Sequence, residues 1–214
     1  LERTTCTGIG VSRSEVMAAR GALLDFLSDK NAFQRLYSRL IQQVQPEDAS
    51  KDLQEHCQKV GTALKQIIDN SKKETDNIVY NIISIEDSFF VNNSGDKVQN
   101  ADYAFCEIVG DTGTFYNSNV RLGISWQNED LVYLGHHHLA QELYFVLEGE
   151  CDWWTDSIPT WETRDQSWHL SNEHHAMKTG TGPALFFWSW TGELELNVKH
   201  SPKEIQTEHQ PSKL

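Results

Sequence analysis

The sequence predicts a mainly β protein, an antiparallel barrel or sandwich with a helical region in front of it. Apolar residues recur at helical spacing as far as residue 68. From residue 78 onward, short runs of β-branched and aromatic residues alternate with Gly, Asn and Asp, as in folds built from many short strands. A chain of 214 residues is long enough for one domain with a full core. The expected organisation is a helical region over residues 1–75 with about three helices, a barrel over 76–200, and a polar tail over 201–214.

Residues 1–11 are small, polar and glycine-containing, and read as a loose lead-in. Ser12 and Glu15 make a capping box ahead of Val16, Ala19, Leu23, Phe26 and Leu27. Phe33, Leu36, Tyr37, Leu40, Ile41 and Val44 form the stripe of a second helix. Pro46, Glu47 and Asp48 suit the first turn of a third, where proline loses no bond and acids meet the positive helix end. Its stripe is Ala49, Leu53, Cys57, Val60, Leu64, Ile67 and Ile68. All three stripes read as core-facing sides, without chemistry. Strands are expected at 78–85, 89–91, 103–109, 120–126, 131–134, 142–147, 151–155, 167–170, 184–190 and 193–198. Pro202 and Pro211 mark the tail as a poorly ordered end.

Composition narrows the function. A net charge of −13 argues against nucleic acid and anionic membranes as partners. No run of about 18 apolar residues exists to span a bilayer. Cys6, Cys57, Cys106 and Cys151 lack C-x-x-C spacing, so zinc-finger and thioredoxin-like readings fail and reduced thiols are expected. The chain starts at Leu1 rather than methionine. A cytoplasmic location is expected, with a periplasmic or secreted one left open.

The chemistry gathers in residues 135–149, where His136, His138, Glu142 and Gly149 spell H-x-H-x3-E-x6-G. His136 and His138 alternate on a strand, so their rings share a face, and Glu142 and Tyr144 share a face after a turn. Gly149 lets the next hairpin turn tightly. Two imidazoles and a carboxylate make a metal half-site suited to Zn, Fe, Mn, Ni or Co, with positions left for water or substrate. A barrel brings distant strands together, and residues 172–179 offer the missing ligand as His174 or His175. His175 fits better. His137 faces the other way, and His56, His169, His200 and His209 carry no signal.

This pair of motifs resembles the cupin superfamily, although Leu170-Ser171-Asn172 and Thr179 depart from its second motif. The resemblance implies the double-stranded β-helix, or jelly roll, with His136, His138, Glu142 and His175 holding one divalent transition metal. Tyr133, His138, Glu142 and Tyr144, then His175-Ala176-Met177-x-Thr179, then Trp188-x-Trp190-Thr191-Gly192, are similar to the cupin dimethylsulfoniopropionate lyases. That family also carries helices ahead of its barrel. The closer resemblance implies a zwitterionic small-molecule substrate, split by β-elimination into dimethyl sulfide and acrylate. It gives Tyr144 the role of base and Tyr133 a positioning or auxiliary role. A neighbouring metal would favour the phenolate.

Seven tryptophans fit a sulfonium, which has no hydrogen to donate and is recognised by aromatic faces. Trp188 and Trp190 share one face and are the expected substrate contacts; Trp153, Trp154, Trp161 and Trp168 line the barrel mouth or pack the core. Two other readings stand beside the lyase. One is another cupin metalloenzyme, a small-molecule dioxygenase or an isomerase; the other is a non-catalytic ligand-binding cupin. Cupins often dimerise, so a homodimer is an open expectation.

Overall fold

The computed structural model describes residues 32–43, 49–71, 103–113, 115–195 and 197–200. The expected helix from Ser12, the strands at 78–85 and 89–91, and the tail lie outside them. Among the described residues, two helices precede ten strands: α1 (Ala32–Gln43), α2 (Lys51–Ser71), β1 (Tyr103–Val109), β2 (Val120–Gln127), β3 (Val132–His137), β4 (Ala140–Glu148) and β5 (Cys151–Thr155). After them come β6 (Glu162–Thr163), β7 (Gln166–His169), β8 (His175–Thr179), β9 (Ala184–Gly192) and β10 (Lys199–His200). Ser50 caps α2, its Oγ accepting from Leu53 N–H at 3.2 Å. No described helix is long and apolar enough to cross a membrane.

The strands form two five-stranded antiparallel sheets, ordered β1-β2-β9-β4-β7 and β10-β3-β8-β5-β6. This is the cupin-type double-stranded β-helix, preceded by helices. The first sheet is buried on both faces. Alternation sends Leu143, Phe145, Leu185 and Phe187 outward, into one core with Leu36, Leu40, Val60 and Leu64 of the helices. It sends Tyr144, Val146, Phe186 and Trp188 inward, against Trp153 and Met177 of the second sheet. Each such buried side chain contributes roughly 1.5–3 kcal/mol.

Two expected elements differ. The described residues of 193–198 form no strand; β9 ends at Gly192, whose φ of 86° turns the chain away from the ladder, and pairing resumes at β10. Residues 175–179, absent from the expected strands, are β8. Gly149 does make a tight turn, with φ 85°, and a Cβ there would meet Pro183 O at 2.5 Å.

Candidate metal centre

The hairpin between β3 and β4 sets the site's base. His136 lies on β3, whereas His138 sits past the strand end, in the turn, and Glu142 is the third residue of β4. His136 pairs across the ladder with His175 of β8. On β4, Glu142 is flanked by His169 of β7 and Trp190 of β9. Three strands and one turn thus converge. The ligand atoms of His136, His138, Glu142 and His175 all lie within 4.8 Å of one another, and all four residues are buried. His174 points away: its Nδ1 donates to Asp156 Oδ2 at 2.8 Å, on the outer surface.

Backbone carbonyls decide which imidazole nitrogen faces the centre. His136 Nδ1 lies 3.0 Å from Leu134 O, His138 Nδ1 3.0 Å from Ala140 O, and His175 Nδ1 2.9 Å from Glu173 O. A carbonyl only accepts, so each Nδ1 carries the hydrogen and each neutral ring presents its Nε2 lone pair. His138 Nε2 stands 3.1 Å from Glu142 Oε2, and His175 Nε2 stands 3.2 Å from the same oxygen. The His175 contact lacks hydrogen-bond alignment, which leaves its buried Nε2 without a partner. Lone pairs converging on a carboxylate repel unless a cation lies among them. Three imidazole nitrogens and one carboxylate oxygen, buried and held by their outer hydrogen bonds, fit a transition ion.

The charge states agree. Burial pushes His136 well below the ordinary imidazole range, aided by His175. Burial, then His169, pulls His175 down to about 4. These rings are neutral at pH 7, as metal ligands must be. Burial alone would raise the Glu142 carboxyl, but the surrounding histidines, His169 through its Nδ1–H among them, outweigh it and hold the group well below the usual carboxylate range.

Tyr144 is buried two residues beyond Glu142 on the same face, its ring 5.2 Å from Trp153 and 5.9 Å from His169. Tyr133 sets its ring edge-on to His136 at 4.7 Å. Trp190 lies against His138 at 4.2 Å, and its Nε1–H donates to Glu142 Oε1 at 2.6 Å. Trp188 is beside it, its ring 6.2 Å from Trp190 and its Nε1–H without a hydrogen-bond partner among the described residues. Trp153 is core, its Nε1–H donating to Arg164 O; Trp168 packs outward, edge-on to His56 at 4.8 Å.

His169 is the residue that sequence reasoning set aside. It is fully buried, its Nδ1 lies 3.2 Å from Glu142 Oε2, and its ring stacks on His175 at 3.9 Å. Ser167 Oγ, 2.8 Å from Nε2, completes the ring's bonding. With Nδ1–H given to the carboxylate and Nε2 accepting from the hydroxyl, His169 and Trp190 grip the two oxygens of Glu142 separately. Arg121 was also missed. It is buried in an ion pair with Glu107, its Nε donating at 2.6 Å, and its guanidinium lies 5.8 Å from the Trp190 ring centroid. No local sequence signal marks either residue; the strand pairings set His169 beside Glu142 and Arg121 beside Trp190.

The dimethylsulfoniopropionate lyase family model matches residues 29–186 of this chain, both helices and most of the sheets. The chain belongs to that family. A member from Ruegeria pomeroyi, dimethylsulfoniopropionate lyase DddQ, is 29% identical over 90 residues, which are 41% of this chain and 45% of that one. The match thus spans under half of that relative. The crystal structure of DddQ from Ruegeria pomeroyi superposes with a TM-score of 0.50 at 22% identity, covering 58% of this chain and 66% of the other, and shows the shared fold. A chain from the crystal structures of the dimethylsulfoniopropionate lyases RdDddP and RnDddQII is 27% identical with a TM-score of 0.45, over 47% of this chain and 53% of its own.

Proposed function

We propose that this protein is a metal-dependent lyase that splits dimethylsulfoniopropionate into dimethyl sulfide and acrylate. The observation that carries the reading is the convergence of three Nε2 lone pairs on one buried carboxylate, in a chain of this family. His136, His138, Glu142 and His175 would hold the ion. A divalent ion there supplies Lewis-acid charge that offsets the anion developing beside the substrate carboxylate.

The protein's own groups do the rest. Tyr144, as phenolate, takes the proton from the carbon next to the carboxylate. The C–H electron pair becomes the C=C bond of acrylate, and the C–S pair leaves with sulfur as neutral dimethyl sulfide. A sulfonium leaves without an acid, so no proton donor is needed at that end. Trp188 and Trp190 offer aromatic faces to the sulfonium cation, and Tyr133 positions the substrate beside His136. His169 keeps Glu142 in place through its Nδ1–H. Burial among Trp153, Phe186 and Trp188 excludes water from the base, and a general base of this kind supplies about 10²–10⁴ in rate.

Headspace gas chromatography tests the reading. Purified protein mixed with dimethylsulfoniopropionate is expected to release dimethyl sulfide, and both chelation and Tyr144→Phe are expected to abolish rapid release. Release that survives Tyr144→Phe removes Tyr144 as the base. No release after several divalent metals are restored sinks the lyase and promotes the oxygenase reading, which oxygen consumption on a substrate panel then tests.

A further inference from the structure

We infer that His137 and His174 form a second transition-metal site, on the outer surface of the β3–β8 pair. The ladder places His136 opposite His175 with both rings facing in. Side chains alternate along each strand, so the adjacent His137 and His174 come together on the opposite face. Their ring centroids are 4.4 Å apart, tilted by 52°. The three inner imidazole pairs stand 6.0, 4.2 and 5.1 Å apart. The outer pair therefore has the spacing of rings that can share one ion.

The outer pair also repeats the tautomer lock of the inner set. His137 Nδ1 lies 2.8 Å from Asn172 Oδ1, and His174 Nδ1 lies 2.8 Å from Asp156 Oδ2. Both oxygens accept, so both Nδ1 atoms carry hydrogen and both Nε2 atoms keep their lone pairs. The supports are themselves fixed. Asn172 adopts φ 63° and donates its N–H to His138 O at 2.7 Å, while Asp156 donates its N–H to His174 O at 3.0 Å. A carboxylate behind a histidine raises its basicity as a ligand. Neither Nε2 makes a hydrogen bond among the described residues, and both side chains are partly exposed, so an ion can reach them from solvent.

Two imidazoles with water completing the shell suit Cu²⁺, Ni²⁺ or Zn²⁺ rather than Mg²⁺ or Ca²⁺, which prefer oxygen. With two protein ligands against four, the outer site binds more weakly than the buried centre. Lys199, the ladder partner of His137, places a cation nearby that works in the same direction. The net charge of −13 works against it. The outer site does not depend on the lyase reading.

Calorimetric titration of the metal-free full chain with Ni²⁺ at pH 7.5 tests it. The wild type is expected to show a tight phase and a separate weaker phase. His137→Ala, His174→Ala and the two glutamine variants are expected to keep the tight phase and the melting temperature, and to weaken the second phase at least tenfold. A wild type without the weaker phase, or a weaker phase unchanged in all four variants, overturns the inference. A weaker phase that is lost in the variants while the tight phase is missing from every protein upholds the outer site and removes the buried centre instead.

Discussion

The two faces of the β1-β2-β9-β4-β7 sheet each bury histidine, and they treat it in opposite ways. On the helix side, His56 of α2 has both nitrogens met by hydroxyls, Ser189 Oγ at 2.8 Å and Thr191 Oγ1 at 2.8 Å. That arrangement is complete with protein atoms alone. On the inner side, His136, His138 and His175 give Nδ1–H to backbone carbonyls and turn Nε2 toward Glu142. That arrangement fits a cation. The same residue type, equally buried, is structural where its partners close the hydrogen bonding and is a candidate ligand where they leave it open. β9 carries both outcomes on alternate residues, with Ser189 and Thr191 outward and Trp188 and Trp190 inward.

The comparison breaks most sharply if inner-face changes fail to separate from outer-face ones. Tyr144→Phe is expected to lower dimethyl sulfide release by about 10²–10⁴ with little change in melting temperature, since it removes one hydroxyl from a buried ring. Phe187→Ala, on the helix side, is expected to do the reverse. It opens a cavity costing roughly 3–5 kcal/mol in a urea unfolding titration, while folded molecules keep their metal affinity. Equal effects of both variants on both readouts would erase the distinction between the faces.

His169 sharpens it. His169→Ala is expected to weaken binding of one divalent ion by about 10–100-fold, because Glu142 loses a donor that fixes its Oε2. His169→Asn keeps an N–H near the same place and is expected to recover part of that loss. Unchanged affinity in the alanine variant would reduce His169 to packing.

The smallest effect concerns pH. Burial pulls His56 down to about 3, so the native state stays unprotonated there while the unfolded chain, with an imidazole near 6.5, takes up a proton. Its contribution is therefore present in full above pH 6.5 and is lost as pH falls from 6.5 toward 3. The slope is about 1.4 kcal/mol per pH unit for one proton. His56→Gln is expected to lower stability at pH 7 by roughly 1–3 kcal/mol through unmet hydroxyls, and to flatten the acid limb of the stability curve by one proton. An acid limb as steep as the wild type's would show that His56 is not buried neutral.

How far the site can be read from sequence depends on distance along the chain. His136, His138 and Glu142 sit on one hairpin, so their closeness is legible from spacing, although His138 stands in the turn rather than alternating with His136 on β3. His175 was separated from His174 by its fit to the cupin second motif, and the phase of β8 is what turns it inward. His169 was invisible because its meaning comes from β7 lying beside β4, 27 positions along the chain from Glu142. Arg121 and Glu107 likewise meet through the β1–β2 ladder. The fold was easier, since alternation and turn residues are local signals. It failed at 193–198, where alternating residues follow a glycine whose conformation had already ended the ladder.

The account rests on the buried cluster holding an ion, and metal titration followed by Co²⁺ absorption in the visible range tests that most directly. The wild type is expected to take up one tight equivalent with a spectrum of nitrogen and oxygen coordination. His175→Ala is expected to abolish it, and His56→Gln to leave it unchanged. A His175→Ala protein that takes up Co²⁺ with the wild-type spectrum and affinity would contradict the account.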